Sequence, residues 1–443
     1  MTDRMNRRSF VRQTSAVGAA VAGLGYFSSS SSAESNSPNE KLDVAIIGVA
    51  NRGAVNTDNV SSENIVALCD VDERYLGAAS EKFPKAKKYF DLREAAELKS
   101  IDAVVVSTTD HTHAPAVVLA LRAGKHVYCE KPLAHTVEEA RAVRETYLAN
   151  QGRLATQMGT QIHATENYRR VVELVQSGAI GPVREAHVWC DRKSSQDPVP
   201  APSVSVPDYL HWNLWVGPAP ARPYSEGFHP LNLTWNRYWD IGNGIIGDMG
   251  SHLIDLPYWA LNLDFPSSCQ AIAPRAQEAI YPTKLSVLWE HPKRGAGPHQ
   301  QALKLVWYDG HSKPNMLYGV DVSGYGIGIL FVGDDGLLLA DYGRRTLLPE
   351  DKFADFIPPD PMIAKSVGHH REWINAAKSD PSSTLCNFDY SGKLIEHNLL
   401  GSIAHRVGRK LTWNHENLRA TNVPEAENFI RKEYSMGWKK IIV

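Results

Sequence analysis

The sequence predicts an α/β protein with a doubly wound parallel sheet in its N-terminal part and mainly antiparallel strands in a second domain. Three observations support this prediction. From residue 42 to about residue 156, short apolar strands alternate with helical stretches, which is typical of a parallel sheet covered by helices on both faces. A glycine-containing turn follows the first strand directly and opens a helix. Beyond about residue 160, the chain carries separate apolar runs of strand length.

The first domain is expected to cover residues 41–160. Each predicted strand is a short apolar run, and the predicted helices fill the gaps between them. The strands are Leu42–Ile47, Ile65–Leu68, Ala103–Ser107 and His126–Cys129. The helices include Asp72–Phe83, His113–Ala123 and Thr136–Ala149. Because strand and helix alternate, the strands should lie parallel in one sheet.

The second domain is expected to cover residues 161–443 and to serve substrate binding and oligomerisation. A proline-rich loop, residues 194–207, separates its first strand from the later ones. The predicted strands are Val183–Trp189, Ala302–Trp307, Ile327–Val332 and Leu337–Ala340, and the predicted helices are Tyr168–Ser177, Arg371–Lys378 and Ser391–Val407.

Composition excludes several classes of protein. Of the 443 residues, 43% are hydrophobic and 22% are charged, as in ordinary globular domains, and the formal net charge is −2. This balance gives no reason to expect a nucleic-acid or anionic-membrane partner. The five cysteines are scattered without a Cys-x-x-Cys pair, so neither a disulfide framework nor a zinc site is predicted. We expect no bound metal.

The N-terminus carries an export signal rather than a part of the fold. A twin-arginine pattern spans Asn6–Arg12, and a mild apolar stretch, Ala16–Phe27, follows it. That stretch is too short for a stable membrane span. We interpret residues 1–33 as a twin-arginine signal peptide and residues 34–40 as a linker. The mature protein should therefore be periplasmic or otherwise exported, without membrane insertion.

The turn after the first strand is a candidate dinucleotide site. It contains Gly48, Ala50, Asn51, Arg52 and Gly53, which form a G-x-G-x-x-G pattern with alanine in place of the second glycine. A helix N-terminus that follows such a turn offers N–H groups to a pyrophosphate. Asp70 lies about 20 residues further on, where a carboxylate accepts the ribose 2′-hydroxyl and repels a 2′-phosphate. NAD is therefore the expected cofactor. The alternative for Asp70 is a helix cap.

A third strand end supplies further candidates for cofactor binding. Thr108, Asp110 and His113 follow the strand that ends near Ser107. They could line the ribose next to the nicotinamide, but Asp110 or Thr112 could equally cap the next helix. A metal site built on the two histidines of this stretch is less favoured than a satisfied polar loop.

Glu130-Lys131-Pro132 closes the strand–helix–strand pattern. Open α/β sheets bind ligands at the carboxyl ends of their strands, which is where this tripeptide should lie. We expect Glu130 and Lys131 to border the cofactor. Lys131 could also donate a hydrogen bond to a substrate oxygen, with a pKa lowered by the cationic nicotinamide.

A second chemical signal is the pair Asp248 and His252. If Asp248 opens a helix, then Asp248, His252 and Asp255 share one face. An aspartate beside a histidine is an acid/base arrangement, in which the carboxylate orients the imidazole. Two alternatives remain: a helix cap with a core histidine, or a zinc site. Pro257 should kink this helix.

Aromatic residues precede this motif and are candidates for sugar stacking. Indole rings stack on sugar rings, and an arginine recognises a carboxylate or a pair of hydroxyls. We expect Arg237, Trp239 and Asp255 to contact the substrate. The other members of the cluster, for which filling a domain interface is the simpler interpretation, are Trp212, Trp215, Trp235 and Tyr238.

With these motifs the chain resembles the glucose–fructose oxidoreductase, inositol dehydrogenase and rhizopine-catabolism (Gfo/Idh/MocA) family. The resemblance covers nearly all of the chain beyond the N-terminal segment. It rests on residues 48–53, 130–132 and 242–255. Two further stretches, Trp212–Pro218 and Tyr434–Trp438, look like those of exported members.

This resemblance implies an N-terminal Rossmann domain and a C-terminal α/β domain with a large, mainly antiparallel, open-faced sheet. In the family, the lysine that matches Lys131 contacts the reacting substrate. The residues that match Asp248 and His252 form the acid/base pair beside the nicotinamide. The family acts mostly on sugars, cyclitols and glycosides. Ala50 and Pro257 depart from its pattern.

We therefore expect an NAD-dependent oxidoreductase that acts on a carbohydrate hydroxyl. Since an exported enzyme has no free NAD pool, the cofactor should be held tightly. The first alternative is a redox-neutral glycosidase, which oxidises the sugar, eliminates the aglycone and then reduces the sugar so that the cofactor is restored. The second is a carbohydrate-binding or sensing protein without catalysis. A broad open sheet also favours a homo-oligomer.

Overall fold

The computed structural model describes residues 40–194, 203–229, 233–274, 276, 279–293 and 301–442. The predicted signal peptide, the linker up to residue 39 and part of the proline-rich loop lie outside the described residues. No helix among the described residues combines the length and the apolar character that a bilayer span requires. All five cysteines are buried and carry free thiols.

The first sheet confirms the predicted doubly wound arrangement. In the described residues it has six parallel strands in the order β3-β2-β1-β4-β5-β6. The strands are β1 (Asp43–Ile47), β2 (Asn64–Cys69), β3 (Lys87–Tyr89), β4 (Ala103–Val106), β5 (His126–Cys129) and β6 (Thr156–Met158). All residues of β4 and β5 are buried because helices cover both faces. The strand order reverses between β1 and β4, where such sheets bind ligands.

Five helices connect these strands within the described part of the chain. They are α1 (Arg52–Val60), α2 (Glu73–Lys82), α3 (Leu92–Ala96), α4 (Asp110–Arg122) and α5 (Val137–Leu148). Local chemistry sets their starts: Asp72 caps α2, Asp91 caps α3, and Thr136 forms a capping box with Glu139 at α5. The fourth helix begins at Asp110, three residues earlier than the sequence pattern predicts.

The second sheet confirms the predicted large and mainly antiparallel sheet. In the described residues it has nine strands in the order β15-β14-β13-β7-β10-β9-β8-β16-β17, and only β7 and β10 pair in parallel. Its strands are β7 (Val183–Cys190), β8 (Ser268–Ile272), β9 (Leu285–His291), β10 (Leu303–Asp309), β13 (Ile327–Gly333), β14 (Leu337–Ala340), β15 (Arg345–Leu348), β16 (Leu411–Asn414) and β17 (Arg419–Ala420). A separate hairpin joins β11 (Met316–Leu317) and β12 (Val320–Asp321).

Side chains of this sheet alternate between a buried and a less buried face. In β9, Leu285, Val287 and Trp289 are buried, and the residues between them are partly exposed. The remaining helices are α6 (Glu166–Gln176), α7 (Trp212–Val216), α8 (Gly244–Asp248), α9 (Gly250–Leu253), α10 (Asp255–Ala260), α11 (His369–Lys378), α12 (Phe388–Val407), α13 (Glu427–Ile430) and α14 (Lys439–Ile442). Of these, α12 packs on β8 and β9. It therefore covers the buried face.

The helix expected to begin at Asp248 is instead three short helices, and this corrects the sequence prediction. Asp248 ends α8 rather than capping a helix. α9 ends at Leu253, the residue whose carbonyl the ring of Pro257 opposes. Pro257 has no N–H for that carbonyl, so the regular bonding pattern is interrupted there.

Helix α11 returns to the first domain. Trp373 is fully buried in a cluster with β1 residues such as Val44 and Ile46, and its indole N–H donates to the Ala155 carbonyl at 3.2 Å. Residues far apart in the sequence therefore complete the core of the first sheet.

The contact between α1 and the preceding turn leads to a stability prediction. A Cβ at Gly53 would lie 2.1 Å from the Gly48 carbonyl oxygen, whereas a Cβ at Gly77 in α2 meets nothing within 4 Å. We expect Gly53→Ala to lower the free energy of unfolding by about 1–3 kcal/mol through overpacking. The control, Gly77→Ala, should raise it by about 0.5–1 kcal/mol because alanine favours helices. Denaturant unfolding measures both, and equal effects would contradict the packing argument.

Candidate active site

The turn between β1 and α1 forms a cradle that only small residues fit. Gly48 has φ +84°, and a Cβ there would lie 2.4 Å from the Ser107 carbonyl oxygen. Asn51 precedes α1 with φ 52°, a conformation that asparagine tolerates better than most residues. No side chain of the described residues caps α1. The Gly53 N–H donates to the Ala50 carbonyl at 2.8 Å, and the start of the helix at Arg52 borders the cavity in front of the turn, where a pyrophosphate could bind.

Asp70 lies at the carboxyl end of β2 and borders this cavity. Its carboxylate accepts hydrogen bonds from the backbone N–H groups of Val49 and Asp72, each at 3.0 Å. Burial raises the pKa of Asp70. Since Asp72 is the residue that caps α2, the capping alternative for Asp70 is wrong. Each carboxylate oxygen keeps a free lone pair for a ribose hydroxyl.

The cavity has two halves that come from different parts of the chain. The first half consists of strand ends of the first sheet, and it includes the predicted Gly48, Ala50, Asn51, Arg52, Asp70 and Thr108. The second half consists of Leu214, Trp215, His229, Leu233, Trp235 and Trp438. Backbone hydrogen bonds join the halves: Glu73 N donates to Tyr209 O, and His211 N donates to Val71 O, both at 2.9 Å.

Three residues expected to line the cofactor support the cavity from behind. Asp110 accepts a hydrogen bond from the Asn243 backbone N–H at 3.1 Å, and burial raises its pKa to about 8. The ring of His113 lies between the carbonyl oxygens of Pro132, at 2.7 Å, and Thr108, at 3.1 Å. Glu130 is 4% exposed. None of the three borders this cavity, and neither does Lys131, so the contact of these residues with the cofactor stays a prediction.

Glu130 instead connects the strand end to α1. It accepts hydrogen bonds from Arg52 Nε at 2.8 Å and from Asn56 Nδ2 at 3.1 Å. Although burial alone would raise the pKa of Glu130, the charges of Lys131 and Arg52 lower it. The ring of His370 in α11 reaches Asn56 Oδ1 at 3.0 Å. This network of hydrogen bonds fixes the side chain of Arg52, which borders the cavity.

Lys131, Asp248 and Arg192 form an ion cluster at the carboxyl end of β5. Lys131 Nζ donates to Asp248 Oδ1, and Arg192 donates to Oδ2. Burial would raise the pKa of Asp248, but the two cations lower it to about 2. Burial would lower the pKa of Lys131, but Asp248 and Glu130 raise it. Lys131 is therefore cationic at neutral pH. The Lys131–Pro132 peptide bond is cis.

His252 lies beside this cluster in α9 and is 6% exposed. Burial, together with the Lys131 charge, lowers the pKa of His252 to about 4, so its ring is neutral at pH 7. The buried Nδ1 has no hydrogen-bond partner in the described part of the chain. Tyr168 OH donates to the His252 carbonyl at 3.0 Å. The centres of the His252 and Tyr342 rings are 6.4 Å apart.

The predicted contact between Asp248 and His252 is absent from the described residues. Both carboxylate oxygens of Asp248 are engaged by Lys131 and Arg192 instead. The backbone stays helical through Met249, with φ −84° and ψ −30°, so the missing contact follows from the ion pairs of Asp248 and not from a bend of the chain. Asp248 acts on His252 through its charge alone, which raises the pKa of His252 against the larger effects of burial and Lys131.

Asp255, expected at the substrate, is sealed inside the domain. It has no exposed surface, and its carboxylate contacts His163 Nδ1 at 2.9 Å and Tyr390 OH at 2.7 Å. Cys386 lies close by, with its ligand atom and those of His163 and Asp255 within 4.8 Å of one another. Hydrogen bonds already satisfy the Asp255 carboxylate. The expected substrate role of Asp255 is therefore corrected to a structural one.

Arg237 and Trp239 were expected at the substrate. Arg237 donates to Tyr238 OH at 3.1 Å. Trp239 is 5% exposed, and its carbonyl contacts His135 Nε2 at 2.9 Å. Trp239 also borders a separate cavity together with Arg406. The substrate contacts of both residues stay predictions.

Two residues of the site lie outside the sequence prediction. Arg192 follows β7, and its position directly after a long apolar strand was the only available signal. Tyr342 follows β14, and its hydroxyl is buried without a partner among the described residues. Burial raises the pKa of Tyr342 far above its usual range, so the hydroxyl stays protonated. Only the fold of the large sheet brings these strand ends to the same place.

Comparison with known proteins agrees with this geometry. The family model "Oxidoreductase family, NAD-binding Rossmann fold" matches residues 18–158, and the model for the C-terminal alpha/beta domain of the same family matches residues 187–280. Among curated relatives, myo-inositol 2-dehydrogenase of Thermotoga maritima is 31% identical over 165 residues, or 36% of this chain and 47% of that protein. Inositol 2-dehydrogenase of Salmonella typhimurium is 30% identical over 184 residues, or 39% of this chain and 54% of that protein. The chain thus spans about half the length of these relatives.

Solved structures share the fold. GenD2 from gentamicin A biosynthesis, in complex with NAD, has a TM-score of 0.57 at 19% identity and covers 84% of this chain and 97% of that chain. The myo-inositol dehydrogenase of Lactobacillus casei, in complex with NAD(H) and myo-inositol, has a TM-score of 0.53 at 17% identity. The match covers 84% of this chain and 97% of that chain. The Rossmann domain match confirms NAD as the cofactor class. Since the two family models together match more than half of its length, the chain belongs to the Gfo/Idh/MocA oxidoreductase family.

Proposed function

We propose that the protein is an NAD-dependent oxidoreductase that acts on a hydroxyl of a sugar, cyclitol or glycoside and retains its cofactor between turnovers. One observation carries this proposal: a cationic lysine and a neutral, unpartnered histidine lie together at a strand end next to the dinucleotide cavity. This is the pair of groups needed to move a proton and to stabilise an oxyanion during hydride transfer.

The residues divide the chemistry among them. Bound NAD would supply the hydride acceptor. His252 takes the hydroxyl proton, because its ring is neutral at pH 7 and part of the residue is exposed. Lys131 donates a hydrogen bond to the same substrate oxygen and stabilises its negative charge. Asp248 and Arg192 hold the Lys131 ammonium group in position and keep it charged.

The substrate class rests on the site and on the relatives together. The exposed part of the Arg192 guanidinium offers donors to a polyhydroxylated ring. The curated relatives are inositol 2-dehydrogenases, and one neighbouring structure is levoglucosan dehydrogenase in complex with NADH and levoglucosan. A cyclitol or sugar is therefore the substrate class that we propose.

We further propose that the protein works outside the cytoplasm as a homo-oligomer. The twin-arginine pattern at Asn6–Arg12 supports export. The aromatic side of the cavity, formed by Trp215, Trp235 and Trp438, supports retention of the cofactor, which an exported enzyme needs. Retention also favours a second candidate, the redox-neutral glycosidase. Release of the aglycone without accumulation of NADH would identify that activity.

The role of His252 leads to the first functional prediction. His252→Ala should lower kcat by about 10²- to 10⁴-fold, because the general base is lost. NAD binding should remain, since His252 does not border the dinucleotide cavity. Steady-state rates with myo-inositol and other cyclitols and sugars, together with NAD titration, measure both effects. The matched control is His405→Ala, a buried histidine of α12, which should leave kcat near the wild-type value. Near-normal turnover in His252→Ala would contradict the assignment.

The pKa of His252 also fixes the expected pH dependence. The ring must be neutral to accept a proton, and its pKa is lowered to about 4. Activity should therefore fall only as the pH drops towards 4, and it should be nearly constant from about pH 6 to 9, because Lys131 keeps its proton over that range. The pH profile of kcat/KM measures this, with circular dichroism as a control for acid unfolding. An acid limb near pH 6.5 would contradict it.

Asp70 leads to a prediction about cofactor choice. Asp70→Asn removes the charge that repels a 2′-phosphate, and it weakens the ribose hydrogen bond. We expect NAD to bind about tenfold more weakly and NADP to bind more tightly, a change on the order of 1.4 kcal/mol for each tenfold factor. Isothermal titration with both dinucleotides measures the ratio. Asp58→Asn, at an exposed position of α1, is the control. An unchanged preference for NAD would exclude this role.

A further inference from the structure

The last described residues of the chain fold back over the first domain. We propose that residues 434–442, here called the C-terminal strap, keep the dinucleotide in its cavity, and that Trp438 is the strap residue that contacts it. This inference rests on the proposed function, because it requires that the cavity holds NAD. Trp438 is 6% exposed and borders the cavity together with Leu92, Thr112 and Trp215.

The strap is anchored first at the turn that ends α7. Ser435 N donates to the Pro218 carbonyl at 3.2 Å, and the Ser435 hydroxyl donates to the Gly217 carbonyl. Gly217 has φ +52°, and a Cβ there would lie 3.3 Å from the Thr112 side chain and 3.6 Å from the Trp438 ring. Three parts of the chain therefore meet closely at Gly217. Two sequence motifs that had no assigned role, Trp212–Pro218 and Tyr434–Trp438, bind each other here.

A second anchor lies at the end of the strap. Ile441 and Ile442 are buried, and α14 packs on α4. Arg122, the last residue of α4, donates to the Ile441 carbonyl at 2.7 Å. The loop that leads into α4 contains Thr108, which borders the cavity. The strap therefore holds the helix that carries one wall of the dinucleotide site.

Between its two anchors the strap contributes an aromatic wall. The Arg93 guanidinium lies 4.9 Å from the centre of the Trp438 ring, and Arg93 also binds Asp91, which borders the cavity. A tryptophan covers a large apolar area with little loss of side-chain entropy. Since this ring and both anchors must move before a bound dinucleotide can leave on this side, the strap should act mainly on the dissociation rate.

The test measures release of NADH from full-length protein. Each protein is loaded with NADH and diluted into lactate dehydrogenase and pyruvate, which oxidise every released NADH, and the decay of fluorescence gives the dissociation rate. Trp438→Ala should release NADH about tenfold faster or more. The matched control is Trp413→Ala, since Trp413 is also 6% exposed but lies in β16 away from the cavity. Its rate should stay within about twofold of the wild type.

A milder variant keeps the inference testable if Trp438→Ala fails to fold. Ser435→Ala loses one hydrogen bond of the first anchor, and it should release NADH about threefold faster. Wild-type rates in both strap variants would overturn the role of the strap and leave the proposed function intact. A wild-type protein that neither contains nor binds NAD(H) would overturn the proposed function and the strap together.

Discussion

The buried carboxylate of Asp248 is the constraint on which the candidate site depends. An ionised group that is 6% exposed must be compensated by charges at contact distance, or it would take up a proton. Lys131 comes from the first sheet, Arg192 from the end of β7, and Asp248 from α8. One carboxylate thus fixes the orientation of three elements. It also keeps Lys131 charged, which agrees with the proposed transfer of the proton to His252.

The dinucleotide cavity follows the same principle of shared construction. The first sheet alone supplies the glycine turn, Asp70 and the N-terminus of α1. The aromatic half comes from α7, the segment around His229 and the C-terminal strap. His229 also reaches Asp72, the cap of α2, at 3.0 Å, so the second half is fastened to the loop that carries Asp70. A site closed by distant parts of one chain can hold its ligand more tightly than an open strand edge.

Local sequence signals predicted the parts of the site that local structure determines. Gly48 and Asp70 follow strands directly, and Lys131 does so two residues after β5, so the topology of a parallel sheet brings them to one edge. The sequence predicted that Asp248 and His252 lie near each other, but its prediction of a direct contact between their side chains was wrong. Helical spacing cannot reveal that Lys131 and Arg192, from other elements, occupy both carboxylate oxygens of Asp248. The prediction for Asp255 failed because spacing and residue type do not reveal which side of a packed element a side chain faces.

By itself, the sequence determined the class of fold and the cofactor, because glycine turns, strand ends and apolar periodicity are encoded within a few tens of residues. It also singled out Lys131, Asp248 and His252, on which the proposed function rests. Only the tertiary structure decided which charges meet. The pairing of Asp248 with Arg192, the contact of the Tyr342 ring with His252 and the docking of Trp438 at Gly217 join residues between 56 and more than 200 positions apart. Such contacts arise from packing of whole elements, and no local pattern in the chain specifies them.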